Sequence, residues 1–252
     1  MLIIRDTQFN IFEQTRQRAF ADALVEVLRH SYPHACRQAG GAAAVATLVA
    51  RALASAAEQG YTSGRPAGVY VALTVILGVD FQRDPQLPWV ADYLDDTDIA
   101  DPTQRIEQLF ARTIDYLGVT GGEHGECMAR AVRRLAALDL GAIAPSIGER
   151  WLRDMARLCA LLYPEKDAEQ GKAATLAMLR AGMACAARHR LRGRADFLVY
   201  LALMFLLGSG FDHDPLHPWA GAILHGSDAQ AGATRGARLH AAAIAHLTPA
   251  ST

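Results

Sequence analysis

Cysteine is scarce in this chain of 252 residues, and the four present, Cys36, Cys127, Cys159 and Cys185, lie far apart with no C-x-x-C pair. That spacing argues against a zinc knuckle or a disulfide framework and predicts reduced, mostly buried thiols. Net charge is nearly absent as well: the formal value is −1 and the isoelectric point about 6.7. No global field draws such a chain to nucleic acid or anionic lipid, so no nucleic-acid partner is expected. Long apolar runs are missing too. The longest, residues 197 to 211, is broken by Gly208 and Gly210 and falls short of the roughly 20 residues that span a bilayer, which predicts a buried helix and no membrane insertion. The first apolar run stops at the acid Asp6, where a secretory signal would continue, so a cytoplasmic chain is expected.

What is present is apolar material for a core. Hydrophobic residues make up 51 %, charged residues 20 %, and mean hydropathy is +0.08, a composition that packs instead of remaining disordered.

A chain of this length has room for an internal repeat, and this one is similar to itself. Laid over itself so that Gly78 meets Gly208, the chain also matches Phe81 to Phe211, Asp84 to Asp214, Pro85 to Pro215, Pro88 to Pro218 and Trp89 to Trp219. The same ungapped frame, a shift of about 130 residues, pairs Val69-Tyr70 with Val199-Tyr200, Leu77 with Leu207, Leu94 with Leu224, Arg105 with Arg235 and Leu109 with Leu239. Tyr32-Pro33 meets Tyr163-Pro164 after a slip of one residue. The pattern predicts an all-α fold of two tandem helical units of similar topology, residues 1–118 and 146–252, packed through a connector at 119–145 that is itself helical.

Each unit opens with an amphipathic helix, over residues 7–31 and 147–163, that stops at Tyr-Pro because proline disfavours the α conformation of its predecessor. Ser146 and Glu149 have capping-box spacing. Alanine-rich helices follow over 41–59 and 167–190, then the most apolar pair over 63–77 and 193–207, expected at the centre of each core. The shared glycine ends that helix. Asp84-Pro85 and Asp214-Pro215 are expected to start the next one, with aspartate as N-cap and proline in the first turn. A last helix is expected from Asp101-Pro102, and in the second unit from near Ser227-Asp228. In the connector, Gly121-Gly122 breaks the chain, and Met128, Val132, Leu135 and Leu138 have helical spacing.

Few residues offer chemistry. Asp212, His213 and His217 are the candidate ligands for a divalent metal, since carboxylate and imidazole are common zinc ligands. The first unit has Gln82, Arg83 and Leu87 at the corresponding positions, which favours solvated loop residues and no metal. His225, His240 and His246 lack the i, i+4 spacing that would place them on one helical face and are expected to be scattered on the surface. Asp92, Asp95, Asp96, Asp98 and Asp101 form an acidic stretch without a counterpart, expected to be solvated acids and helix caps. No G-x-S-x-G, H-E-x-x-H, phosphate-loop or dinucleotide fingerprint occurs. No catalytic residue and no cofactor is therefore assigned. Phe81, Trp89, Phe211 and Trp219 have a structural reading, plugging and stapling the helices of each unit, and a sharper one as anchors at a protein interface.

The segment from Tyr200 through Leu203, Met204, Phe205, Gly208, Phe211, Asp214 and Pro215 to Trp219, and its counterpart from Tyr70 to Trp89, resembles a pattern in uncharacterised helical bacterial proteins found near type VI secretion effectors. In that pattern, Y-x-x-L-M-F-x-L-G-x-x-F-D-x-D-P-x-L-P-W follows a Thr-Ser-Glu-Arg-like helix start, here Thr62-Ser63-Gly64-Arg65-Pro66. The resemblance implies an accessory protein, an adaptor, chaperone or immunity partner of a secreted effector, and carries over no catalytic residue. The expectation is a non-enzymatic protein-binding module whose partner is another protein. The alternative is an enzyme with an unfamiliar site, metal-dependent or not, near Asp212 to His217.

Overall fold

The computed structural model describes residues 6–62, 64–140, 149–226 and 233–248. Those residues form twelve α-helices and two short 3-10 turns, and no strand occurs among them. The first seven helices are α1 (Asp6–Ser31), α2 (Pro33–Gln38), α3 (Ala42–Glu58), α4 (Gly64–Leu77), α5 (Trp89–Leu94), α6 (Pro102–Gly121) and α7 (Glu126–Ala136). The others are α8 (Glu149–Leu162), α9 (Pro164–Arg188), α10 (Arg194–Leu207), α11 (Pro218–His225) and α12 (Arg235–Leu247).

α4 and α10 are the apolar helices expected at the centre. Nine consecutive residues of α10, Leu198 to Leu206, are buried, and Tyr200, Leu203 and Phe205 are wholly enclosed. Each of these helices packs on the alanine-rich helix before it and the amphipathic helix that closes its half, α4 on α3 and α6, α10 on α9 and α12. The four cysteines are free thiols, three of them buried.

The two halves repeat each other in local detail. Tyr70 meets Phe81 with ring centroids 5.0 Å apart at 49°, and Tyr200 meets Phe211 at 5.0 Å and 55°. Phe81–Arg83 and Phe211–His213 are both 3-10 turns. The Arg105 guanidinium donates to the Asp96 carbonyl, and the Arg235 guanidinium to the Gly226 carbonyl. Tyr-Pro ends α1 and α8 as anticipated, but proline then starts a further helix at once, because its fixed φ suits the first helical position. In the first half that helix is α2. In the second it is merged with α9, whose backbone breaks at Gly171 (φ 77°, ψ 162°) where the first half has Gly41 (φ 81°, ψ −153°).

Three expectations need correction. Asp84 and Asp214 start no helix: α5 begins at Trp89 and α11 at Pro218. Their carboxylates instead accept from the backbone N–H two residues on, Gln86 at 2.9 Å and Leu216 at 2.7 Å, the turn that Asp makes as readily as a cap. The expected unit boundary at residue 118 falls inside α6, which runs to Gly121 and stops where Gly122 takes φ 75°. α12 is capped by Thr234, whose hydroxyl accepts from the Ala237 N–H. Ser146, Ser227 and Asp228 lie outside the described residues. Asp101 does cap α6, accepting from Thr103 N–H at 2.9 Å.

α4 and α10 meet at their C-terminal ends. A Cβ on Gly78 would lie 3.1 Å from the Leu207 carbonyl oxygen, and one on Gly208 the same distance from the Leu77 carbonyl. Both glycines have left-handed φ, 95° and 97°. Gly208→Ala adds conformational strain and a tight contact, and is expected to destabilise by about 1–3 kcal/mol. Gly118→Ala, exposed within α6 and with open space around its Cβ, is expected to stabilise by about 0.5–1 kcal/mol. Urea denaturation of the two variants checks the pair; equal midpoints would contradict the close approach.

Candidate functional site

The loops after α4 and α10 carry the polar side chains, and the helix ends bring them together. The Ser209 N–H donates to the Asp84 carboxylate at 2.8 Å, and its hydroxyl donates to the same group at 2.5 Å. On the other side of the crossing, the Val79 N–H faces the Asp214 carboxylate and lowers its pKa. Each aspartate thus meets a backbone N–H just past the apolar helix of the other half. Both carboxylates are about 5 % exposed, so these hydrogen bonds operate where water competes little.

Beside this crossing lies a second polar group. Asp212 accepts from the Tyr200 hydroxyl at 2.7 Å and pairs with His189 Nε2 at 2.7 Å and His213 Nδ1 at 2.5 Å. The other nitrogen of His213, Nε2, reaches Asp80 at 2.7 Å, and the Arg51 guanidinium donates to its carbonyl. Hydrogen bonds donated to the two carboxylates raise the His213 pKa to about 9, against the opposing effect of burial. Asp80 is held below its ordinary range chiefly by His213. Burial would raise Asp212, but the hydrogen bonds from His213, His189 and Tyr200 win, and it is held far below the carboxylate range. The imidazolium of His213 therefore bridges a carboxylate from each half. With both ring nitrogens engaged, it has no free lone pair to act as a base.

His217 stands apart from this cluster, so Asp212, His213 and His217 do not converge, and among the described residues no group of three or more potential ligands is placed to hold a metal ion. His217 lies 6.0 Å from the Trp219 ring, and His246 stacks on that indole at 5.8 Å and 7°. The expectation of scattered surface histidines holds for His225, which is exposed, but His240 is half-buried, with Nε2 at 2.8 Å from the Leu135 carbonyl, and His246 is half-buried too. Phe81 and Phe211 are each 1 % exposed and Trp219 8 %. Trp89 is half-buried, with the Arg112 guanidinium 4.8 Å from its ring centroid.

A cavity of about 530 Å³ opens beside Asp214 and His217. Its walls are mostly apolar: Leu28 and Cys36, Val75 and Ile76 of α4, Leu206 and Leu207 of α10, and the Trp219–His246 stack. Burial raises the Asp214 pKa and lowers that of His217. A smaller cavity of about 90 Å³ lies beside Asp84, walled by Ile76, Leu77, Leu87, Tyr116 and, from the second half, Tyr163 and Lys166. Lys166 is 7 % exposed, and its ammonium donates to the Phe205 carbonyl at 2.6 Å. Desolvation lowers its pKa to about 8, with Asp84 acting in the opposite sense.

Sequence reasoning missed His189, Tyr200 and Lys166. Lys166 faces Ala35 under the one-residue slip that aligns the two Tyr-Pro pairs, and a lysine at the counterpart of an alanine on a packed helix was the signal available. Compared with known proteins, the chain matches no protein family, no curated protein and no solved structure.

The His213 bridge sets a pH dependence. Its folded pKa of about 9 lies above the ordinary 6.5, so its stabilisation is complete below about pH 6.5 and is lost as pH rises through about 9. Lys166 acts oppositely in that window, because its pKa is lowered on folding, but it is common to both proteins compared. From pH 6 to pH 10, Tm of the wild type is expected to change more unfavourably than that of His213→Asn. Parallel Tm profiles would contradict the bridge.

Proposed function

We propose that this chain is a non-enzymatic binding protein formed by tandem duplication of one helical unit, and that its binding site is the apolar cavity beside Asp214. The cavity is the observation that carries the reading: its volume of about 530 Å³ falls in the range of small-molecule sites, and apolar walls with a few convergent polar groups are their usual composition. The duplication is supported by the matching ring pairs, turns and arginine contacts, and by the reciprocal capping through Asp84 and Asp214. α7 is read as the connector, since it packs on α6 of the first half and on α8, α10 and α12 of the second. The bridged His213 has both ring nitrogens engaged and does not serve as a base.

Among the described residues no helix is long and apolar enough to cross a membrane, and free buried thiols support a reducing compartment such as the cytoplasm. A role beside a secreted effector, as adaptor, chaperone or immunity partner, rests on the motif resemblance alone. On that reading the effector would be the second occupant of the protein's surface and not of the cavity.

Nile red, an uncharged dye whose emission rises and shifts to the blue in apolar surroundings, tests the site. It is expected to bind the folded chain with one-to-one stoichiometry and to lose at least tenfold in affinity to Val75→Trp, which fills the cavity from α4. A folded Val75→Trp variant that binds the dye like wild type would place the binding elsewhere.

A further inference from the structure

The two cavities occupy corresponding positions, one beside Asp84 and one beside Asp214, and they differ in what fills them. Beside Asp84 the Lys166 side chain enters from the second half and puts its ammonium on the Phe205 carbonyl. That carbonyl is free to accept because the Ser209 N–H, four residues on, is given to Asp84. A carbonyl in the last turn of a helix also carries the negative end of the helix dipole, which favours a cation. Lys166 thus satisfies a helix end and lies in the field of a buried carboxylate at once.

Beside Asp214 the same acceptors recur without the lysine. The Val79 N–H faces the Asp214 carboxylate and lowers its pKa, the Val75 carbonyl four residues earlier belongs to the last turn of α4, and Val75 lines the cavity. The residue in the place of Lys166 is Ala35, also on the cavity wall. The charge that acts most on Asp214 is that of His217, whose own pKa burial lowers, and among the described residues no lysine or arginine forms an ion pair with Asp214. Arg51, whose charge acts on it, donates its hydrogen to the His213 carbonyl. The tryptophans differ as well: Trp89 has Arg112 over its ring, whereas Trp219 has Ala242 at the corresponding position and His246 stacked on its indole. The cavity therefore combines a buried carboxylate and a helix-end carbonyl, two features that each attract a cation.

We propose that the cavity beside Asp214 binds a small lipophilic primary amine, its ammonium on the Val75 carbonyl and beside the Asp214 carboxylate, and its alkyl body along the apolar walls, in the place that Lys166 takes in the other half. The inference rests on the cavity being the binding site and on the correspondence of the two halves. It adds the chemical class of the ligand. An unbranched alkyl stem is favoured because the lysine side chain that models it is itself four methylenes ending in an ammonium.

Isothermal titration with n-octylamine, 1-octanol and octanoate at pH 7 tests the head group with the stem held constant. The amine is expected to bind one-to-one and at least tenfold more tightly than the alcohol, with the carboxylate weakest. In Asp214→Asn, which keeps an acceptor for the Val79 N–H, amine and alcohol are expected to bind within about threefold of each other. If that variant does not fold, the head-group order in the wild type decides alone. Equal binding of amine and alcohol, with Nile red displaced by both, would overturn the cation site while leaving the cavity as a binding site. Failure of all three and of Nile red to bind would overturn both readings.

Discussion

The crossed capping of two helix ends is the constraint on which the rest of the structure depends. α4 and α10 each run out of intrahelical partners at a glycine; the first N–H beyond Gly208 is taken by Asp84, and the first beyond Gly78 faces Asp214 and lowers its pKa. A buried N–H left unpaired costs about 1–3 kcal/mol, so each half needs the other to close its central helix. The glycines favour this, because a Cβ at either would lie 3.1 Å from the other's last carbonyl oxygen and both positions have left-handed φ. The His213 bridge to Asp80 and Asp212 adds a charged tie across the same junction.

This arrangement also explains why cavities form where they do. Turning the Ser209 and Val79 N–H groups toward aspartates draws them from the carbonyls of Phe205 and Val75 at the ends of buried helices. One is satisfied by Lys166, which with Tyr163 reduces its cavity to about 90 Å³. Tyr163 is buried, its hydroxyl donating to the Thr120 carbonyl at 2.7 Å. Its counterpart Tyr32 is 47 % exposed at the rim of the larger cavity. The difference in volume follows from these two positions, an inward tyrosine and lysine on one side against an outward tyrosine and an alanine on the other.

Much of this was legible in the sequence, and the illegible part has a physical cause. Helix class and order followed from apolar periodicity and Tyr-Pro stops, and the frame that pairs Gly78 with Gly208 also placed Phe81 and Phe211 in like turns. The role of Asp84 and Asp214 was misread because Asp-Pro satisfies a local cap and a local turn equally well, and nothing local reports a donor 125 residues away. α2 and the break at Gly171 were missed because an alanine-rich stretch has helical propensity throughout, and a single glycine inside it lowers that propensity without marking a reversal. The cluster on Asp212 joins His189, Tyr200 and Asp80 from separate elements, so its members carry no shared spacing. The cavity was invisible for a plainer reason: it is defined by the side chain that Ala35 lacks.

If the two halves are interlocked copies whose sites have diverged, one is filled from within and the other is open to a ligand. A crystal structure of the chain grown with n-octylamine tests it most directly. The account predicts that residues 64–94 superpose on 194–224 with Phe81 over Phe211, and that the amine nitrogen lies within hydrogen-bonding distance of the Val75 carbonyl, in the place that Lys166 Nζ occupies at Phe205. An amine bound away from Asp214, or halves that fail to superpose across the two helix ends, would contradict it.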